Sequence, residues 1–422
     1  MLDIQKIRNQ KEEVEKALLK RIDQSAGGLD LDIIIKLDDQ RKDLIVKADE
    51  LKAERNKFSK TKPTPEIIEE MKKVGESIKE LDEKLLTVET ELKEKLSALP
   101  NMPADDVVAG GKENNKTIKT FGEKPEFKFV PKDHMELATS LGLIDYERAA
   151  KMSGAGFWCY TGDGALLEWA LLNYFVEFHK KNGYEFLLLP YLLNEDSAYA
   201  SGHLPKFRED LFWVEDGLCL DATSEMMINN FHRDDILDGN KMPKKYYSYS
   251  ACFRREAGGY RKEERGMIRG HQFNKIEMFQ FTKPEDSWTA FEELVRNAER
   301  LMEGLGLHYQ TVQLAAGDAS AAMAKTIDIE VYIPLWEGEV PSPFKEVSSV
   351  SNALDYQARR ANIRYKNEGG KNEFVHTLNG SGLATSRLIP AILEQFQNED
   401  GSVNVPEVLQ GMVGKGKLEI RK

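Results

Sequence analysis

Cys252-Phe253-Arg254-Arg255-Glu256 enters a loop rich in glycine and charge, and the chain returns as Arg269-Gly270-His271-Gln272-Phe273. The apolar flanks at 245–253 and 272–281 read as strands, which makes the loop their hairpin connection. Further strands are expected at Phe186-Leu187-Leu188-Leu189-Pro190, 327–334 and 344–350, and helices at 165–181, 286–305 and 387–397. Strands divided by irregular loops, with few regular βαβ units, favour an antiparallel β-sheet flanked by helices over a doubly wound one. From about residue 120 onward the fold class is therefore α+β.

Period-two alternation on the hairpin sets Arg254 and Glu256 on one face, and Arg269 and Phe273 on one face of the returning strand. Two arginines, a carboxylate and an aromatic ring suit a phosphate, an amino group and the face of a base. Plain cross-strand salt pairs give the same pattern. A second cluster is Glu346-Val347-Ser348-Ser349, where alternation puts Glu346 and Ser348 on one face. Their oxygens suit a hard cation such as Mg²⁺, although an ordinary half-buried strand explains four residues equally well. The third is Asn379-Gly380-Ser381-Gly382-Leu383-Ala384-Thr385-Ser386-Arg387. Small residues there admit close backbone approach, and an arginine at a helix start reaches phosphate, but a tight glycine turn reads the same way. No P-loop, GxGxxG unit, HExxH or GxSxG occurs, so a nucleotide would be held by another device.

Residues 31–99 have a different texture. Leu37, Leu44, Leu51 and Phe58 recur every seven residues, and beyond Lys62-Pro63-Thr64-Pro65 the series Met71, Val74, Ile78, Leu81, Leu85, Val88, Leu92 alternates steps of three and four. These are heptad seams on either side of a proline break, so an antiparallel two-helix coiled-coil hairpin is expected. At about 1.5 Å per residue it would project roughly 45 Å. One shorter amphipathic helix, through Ile4, Ile7, Val14 and Leu18, precedes it. Lys52, Arg55, Lys57 and Lys60 gather toward the tip, a pattern that fits phosphate contact or merely a solubilising turn. The organisation read from this is a helical domain over 1–100, a linker over 101–119 and a sheet domain over 120–422.

The chain of 422 residues carries 59 Lys and Arg against 71 Asp and Glu, a net charge of -12 that disfavours non-specific nucleic-acid binding. Cys159, Cys219 and Cys252 are dispersed and odd in number, which excludes a disulfide framework and a CxxC zinc site and fits a reducing, cytoplasmic setting. No apolar run approaches the roughly 18 residues of a membrane span, and the charged start is unlike a signal peptide.

With these segments in hand, the chain resembles the class II aminoacyl-tRNA synthetases and, within them, the seryl-tRNA synthetase family. Gly183-Tyr184 to Pro190 is similar to motif 1, the segments 253–256 and 269–273 to motif 2, and 380–387 to motif 3. The strings FRREAG at 253–258, HQFNKIE at 271–277, YQARRANIR at 356–364 and HTLNGSGLA at 376–384 carry the likeness to the seryl branch. The resemblance implies ATP-dependent activation of L-serine to seryl-adenylate, then transfer to tRNA(Ser), with tRNA(Sec) as a second acceptor in the family. It implies that Arg254 and Arg387 are catalytic, and that Arg254, Arg255, Glu256, Arg269, Phe273, Glu346, Val347, Ser348, Ser349 and Arg387 form the ATP site. Glu346 and Ser349 would ligate Mg²⁺, and no zinc is implied. Thr223, Ser224, Glu225, Glu277, Asn379 and Ser381 would bind serine, and Lys52, Arg55, Lys57 and Lys60 would meet tRNA.

A homodimer through Gly183–Pro190 is also implied, and the unalternating run Phe186–Leu193 suggests burial on both sides. Thr223-Ser224-Glu225 departs from the family's usual Thr-Ala-Glu; in a strand, Ser224 would point away from its two neighbours. An amino acid:carrier-protein ligase would lack the helical arm. A non-catalytic, synthetase-like binding protein would have lost Arg254, Glu256, Glu346 or Arg387, and all four are present.

Overall fold

The computed structural model describes residues 1–21, 30–58, 64–257, 266–336 and 342–420. The chain forms two compact units, Met1–Met102 and Pro103–Lys422.

The first unit is helical. Two long helices, α1 (Leu31–Phe58) and α2 (Pro65–Ala98), run side by side. Every expected seam position from Leu37 to Phe58 and from Met71 to Leu92 is buried or half-buried. The proline break is the start of α2: Pro65 takes the first turn, and Thr64 Oγ1 accepts a hydrogen bond from the Ile67 N–H. The expected single N-terminal helix is two, Ile4–Asn9 and Lys11–Leu18, because Gln10 between them leaves helical geometry at φ -136°. Arg8 of the first reaches Asp38 of α1, a fully buried carboxylate that Arg41 and Lys42 also contact.

The second unit is built on an eight-stranded sheet. In chain order its strands are β1 (Lys116–Phe121), β2 (Glu185–Leu187), β3 (Lys244–Phe253), β4 (Gln272–Thr282), β5 (Tyr309–Gln313), β6 (Lys325–Tyr332), β7 (Phe344–Leu354) and β8 (His376–Ala384). They lie in the order β1-β5-β6-β7-β8-β4-β3-β2, and only the β2–β3 pair is parallel. The hairpin expected at the opening stretch is β3–β4, with Cys252 opposite Phe273. β1 corrects the expected linker: Lys116-Thr117-Ile118-Lys119 belongs to an edge strand paired with β5. Its lysines are an edge-strand device that makes a strand read as polar linker.

Three helices, α3 (Asp163–Lys181), α4 (Ser224–Phe231) and α5 (Ser287–Leu305), are followed by α6 (Thr385–Gln395) after the last strand. Leu171 and Phe175 of α3, Leu294 and Leu301 of α5, and Ile389 and Ile392 of α6 pack in one core with Ile276, Met278, Ile329, Val350 and Leu378 of the sheet. Alternation then sends the intervening residues of the same strands to the opposite face. These are Lys275 and Glu277 of β4, Asp328 of β6, Ser349 and Ser351 of β7, and Asn379 and Ser381 of β8. That polar face is the floor of the candidate site.

Within one chain, the run Phe186–Leu193 begins on the outermost strand of the sheet. β2 is an edge strand, and Phe186, Leu188 and Leu192 are 42%, 72% and 48% exposed. Among the described residues no helix is long and apolar enough to cross a membrane.

Candidate active site

A cavity of about 140 Å³ opens on the polar face of the sheet, lined by Thr223, Glu225, Lys275, Glu277, Asn379 and Ser381 among others. That is well below the roughly 300–1,000 Å³ of sites for drug-sized ligands, so it suits a small polar molecule. Thr223 is the N-cap of α4, its hydroxyl accepting from the Glu225 N–H at 3.3 Å. The expectation of a strand at Ser224 is therefore corrected. Ser224 opens the helix and points away from the cavity, its Oγ donating to Ser250 Oγ at 2.7 Å.

The cavity holds three buried charges. Lys275 Nζ lies 2.5 Å from both Glu277 Oε2 and Thr223 Oγ1. Burial pushes the Glu277 carboxyl up and Lys275 pulls it back; burial is the largest influence on Lys275 and lowers its pKa, but Glu277 and Cys252 together leave it above the ordinary value. Glu225 is raised to about 7, chiefly by burial and next by the charge of Glu277, while a 2.6 Å hydrogen bond from Gln357 Nε2 works the other way. Ser381 Oγ donates to Glu277 Oε2 at 3.4 Å, and the Asn379 Oδ1 is buried without a partner. Two carboxylates, a hydroxyl and an amide lining one small hole match a molecule bearing both an ammonium and a hydroxyl.

A second cavity, of about 450 Å³, adjoins the first through Arg254, His203, Glu346 and Ser349. The Arg254 guanidinium lies over the Phe273 ring at 5.1 Å, with Nε on the Ala222 carbonyl at 3.3 Å. Arg269 forms an ion pair with Glu256, which occupies left-handed backbone at φ 50° beyond the end of β3. Alternation was the wrong reason to group Arg254 with Glu256, because β3 stops at Phe253. The two nonetheless share this cavity. Arg387, in the first turn of α6, donates to the Ile268 and Glu346 carbonyls at 3.1 and 2.6 Å. Arg255 is exposed and lines neither cavity.

β7 corrects another expectation. Its register against β6 shifts between Glu346 and Ser348, a bulge that changes which residues share a face. Glu346 and Ser349 face the cavity together, whereas Ser348 is fully buried and donates to the Ser381 carbonyl at 2.6 Å. Val347 lines a smaller recess with Phe273 and Arg387. Asp328 of β6 stands beside this pair, its carboxyl raised well above the usual range by burial and by Glu346, with Oδ1 unpartnered. Such an all-oxygen cluster suits a hard divalent cation shared with a phosphate.

Sequence reading missed Lys275, Asp328 and Gln357. The signal available for the first two was local alternation: Lys275 and Glu277 are two apart on β4 around Ile276, as Asp328 and Glu330 are on β6 around Ile329. On the helical unit, Lys52 pairs with Asp82 at 3.2 Å, Arg55 and Lys57 are exposed, and Lys60 lies outside the described residues.

Comparison with known proteins bears on both units. Residues 1–103 match the seryl-tRNA synthetase N-terminal domain, and residues 212–396 match the tRNA synthetase class II core domain shared by the enzymes for G, H, P, S and T. A relative from Clostridium acetobutylicum named serine--tRNA ligase 2 is 52% identical over 434 residues, covering 99% of this chain and all of that one. The serine--tRNA ligase of Staphylococcus saprophyticus is 44% identical, covering 100% of this chain and 99% of its own. The crystal structure of a seryl-tRNA synthetase from Pyrococcus horikoshii complexed with ATP superposes with a TM-score of 0.90 at 33% identity, over the full length of both chains.

Proposed function

The chain belongs to the seryl-tRNA synthetase family and is a serine–tRNA ligase by that membership; from that premise we propose how its residues divide the work. The observation that carries the proposal is the small cavity of Glu225, Lys275, Glu277 and Ser381 opening onto Arg254. Glu225 receives the serine ammonium beside Thr223, and Glu277 with Ser381 receives the hydroxyl. Alanine is rejected because Glu277 and Ser381 would then be left unpaired in a buried site. Arg254 holds the serine carboxylate against the α-phosphate of ATP.

Adenine lies on Phe273 with its amino group toward Glu256. Arg269, which pairs with Glu256, lies where its guanidinium meets the phosphates. A serine carboxylate oxygen forms a bond to the α-phosphorus as the bond to pyrophosphate breaks. Arg254, Arg269 and Arg387 neutralise the charge that develops, the main requirement of a displacement that uses no protein nucleophile. Glu346 and Ser349 would hold Mg²⁺, which supplies further charge neutralisation on the triphosphate. The terminal ribose hydroxyl of tRNA then attacks the seryl carbonyl carbon, and AMP leaves.

The helical domain, residues 1–100, is assigned to tRNA, with Arg55, Lys57 and Lys60 as its phosphate contacts and Lys52 partly committed to Asp82. The exposed edge of β2, together with Leu166 and Trp169 of α3 at 48% and 58% exposure, is the homodimer face. The three cysteines are unpaired, in keeping with a cytoplasmic location.

Serine-dependent ATP–pyrophosphate exchange tests the first step, and charging of tRNA(Ser) and tRNA(Sec) transcripts tests the second. Exchange with another amino acid in preference to serine would refute the pocket assignment. Exchange without charging would point to a carrier ligase.

A further inference from the structure

β8 does not pair with β4 without interruption. The register runs to Ser381 opposite Glu277 and resumes at Ala384 opposite Lys275, so Gly382 and Leu383 have no ladder partner on β4. A buried carbonyl at such a break must find another donor, because leaving it unmade costs as much as a lost hydrogen bond. His179, in the last turn of α3, is that donor: its Nε2 lies 2.8 Å from the Gly382 oxygen. A carbonyl oxygen only accepts, so Nε2 carries the proton. The ring is fully buried, and burial lowers its pKa to about 4, so the bond is made by the neutral imidazole, with Nδ1 unpartnered.

The fit is close on every side. A Cβ at position 382 would stand 2.3 Å from His179 Nε2, so only glycine there lets the ring reach the backbone. Tyr247 and Tyr184 hold the ring, with centroids 5.6 and 5.8 Å away. One residue earlier, Ser348 Oγ donates to the Ser381 carbonyl at 2.6 Å while Ser381 Oγ donates into the pocket. Two consecutive carbonyls of β8 are thus held by side chains from outside the ladder, just where Ser381 turns toward Glu277.

We propose that His179 is a positioning residue for amino-acid recognition: through the Gly382 carbonyl it sets where Ser381 stands, without touching the substrate. The inference rests on reading that pocket as the serine site. It makes α3, whose outer face carries the exposed Leu166 and Trp169, a support of selectivity as well as of the core.

The test uses His179→Gln and His179→Asn in the full chain. Both remove the ring, but the glutamine amide reaches about as far as Nε2 and the asparagine amide only about as far as Nδ1. Serine KM and ATP KM are measured in pyrophosphate exchange, with alanine as competitor and thermal unfolding as a check on folding. The asparagine variant is expected to raise serine KM about tenfold and to lose discrimination against alanine, the scale of one buried hydrogen bond. The glutamine variant should stay within about threefold of the parent, and ATP KM within about twofold in both. Equal serine KM in the two variants, parallel rises in serine and ATP KM, or failure of both to fold would each overturn the proposal by making His179 a packing residue. Failure of the parent chain to exchange with serine would instead overturn the pocket assignment.

Discussion

Lys52 meets Asp82 in the helical unit, and Lys275 meets Glu277 in the pocket; the chemistry is the same and the consequences are opposite. The first pair, at 3.2 Å, keeps 42% and 50% of its side chains in water. The second, at 2.5 Å, keeps 6% and 3%. An exposed pair contributes about 0–1 kcal/mol, so the arm is held by its apolar seam and its surface charges stay available to a polyanion. A buried pair offsets a large desolvation cost only while both partners remain. On the proposed reading the pocket draws selectivity from charges that add little net stability, and it should fail sharply when one is removed.

The largest effect follows from that asymmetry. Glu277→Ala strands the Lys275 charge and should destabilise the fold by about 3–5 kcal/mol, read by denaturant unfolding. Serine-dependent exchange by the folded fraction should fall about 100-fold or more, with ATP KM within about twofold. Unchanged stability would mean that the pair is not the buried counterpart of Lys52–Asp82.

Glu225 sharpens the contrast through pH. Its pKa is raised to about 7, first by burial, and a bound ammonium favours the ionised form. With serine in the proposed site, a proton on Glu225 should have to leave below about pH 7. Serine KM should therefore fall by up to about tenfold per unit as pH rises toward 7, and then level off. Glu225→Gln should abolish that slope. For folding stability the sign reverses. Between the ordinary carboxyl value and about 7 the folded state binds more protons than the unfolded one, so stability falls as pH rises through that window. Glu168 and Asp221, also raised by burial to about 7, act in the same direction.

The contrast also explains what could be read in advance. The arm was legible because a heptad seam is local: each of Met71, Val74 and Ile78 predicts the next, and the proline break marks the turn. The pocket depends on register, which short strings do not encode. Glu346 and Ser348 were set on one face by parity, and a bulge gave that face to Ser349 instead. Ser224 opens a helix and not a strand, and only its N-cap, Thr223, has extended backbone, at φ -170° and ψ 136°. The lysine-bearing edge of β1 reads as linker because a polar edge strand lacks the apolar alternation that marks a half-buried one. Lys275 is a lone cation within HQFNKIE, and only the register of β4 brings it to the pocket.

Smaller effects test the remaining assignments. Ser224→Ala removes a hydrogen bond to Ser250 outside the cavity, and should change serine KM by less than about fivefold. Neutralising Arg55 and Lys57 should reduce the salt slope of tRNA binding by about 0.9 for each duplex phosphate that is no longer neutralised. Lys52→Ala should reduce it by less, because Asp82 already screens that charge, and should shift unfolding by no more than about 1 kcal/mol.

The most direct measurement is parallel exchange and charging by the chain with residues 31–99 removed, against the full chain. Serine-dependent exchange is expected to remain within about threefold of the full chain, since every group proposed for ATP and serine lies on the sheet unit, while charging of tRNA(Ser) falls below detection at 0.15 M salt, a loss of about 1,000-fold or more. Charging that survives the deletion, or exchange that disappears along with it in a protein that still folds, would contradict the division of labour between the two units.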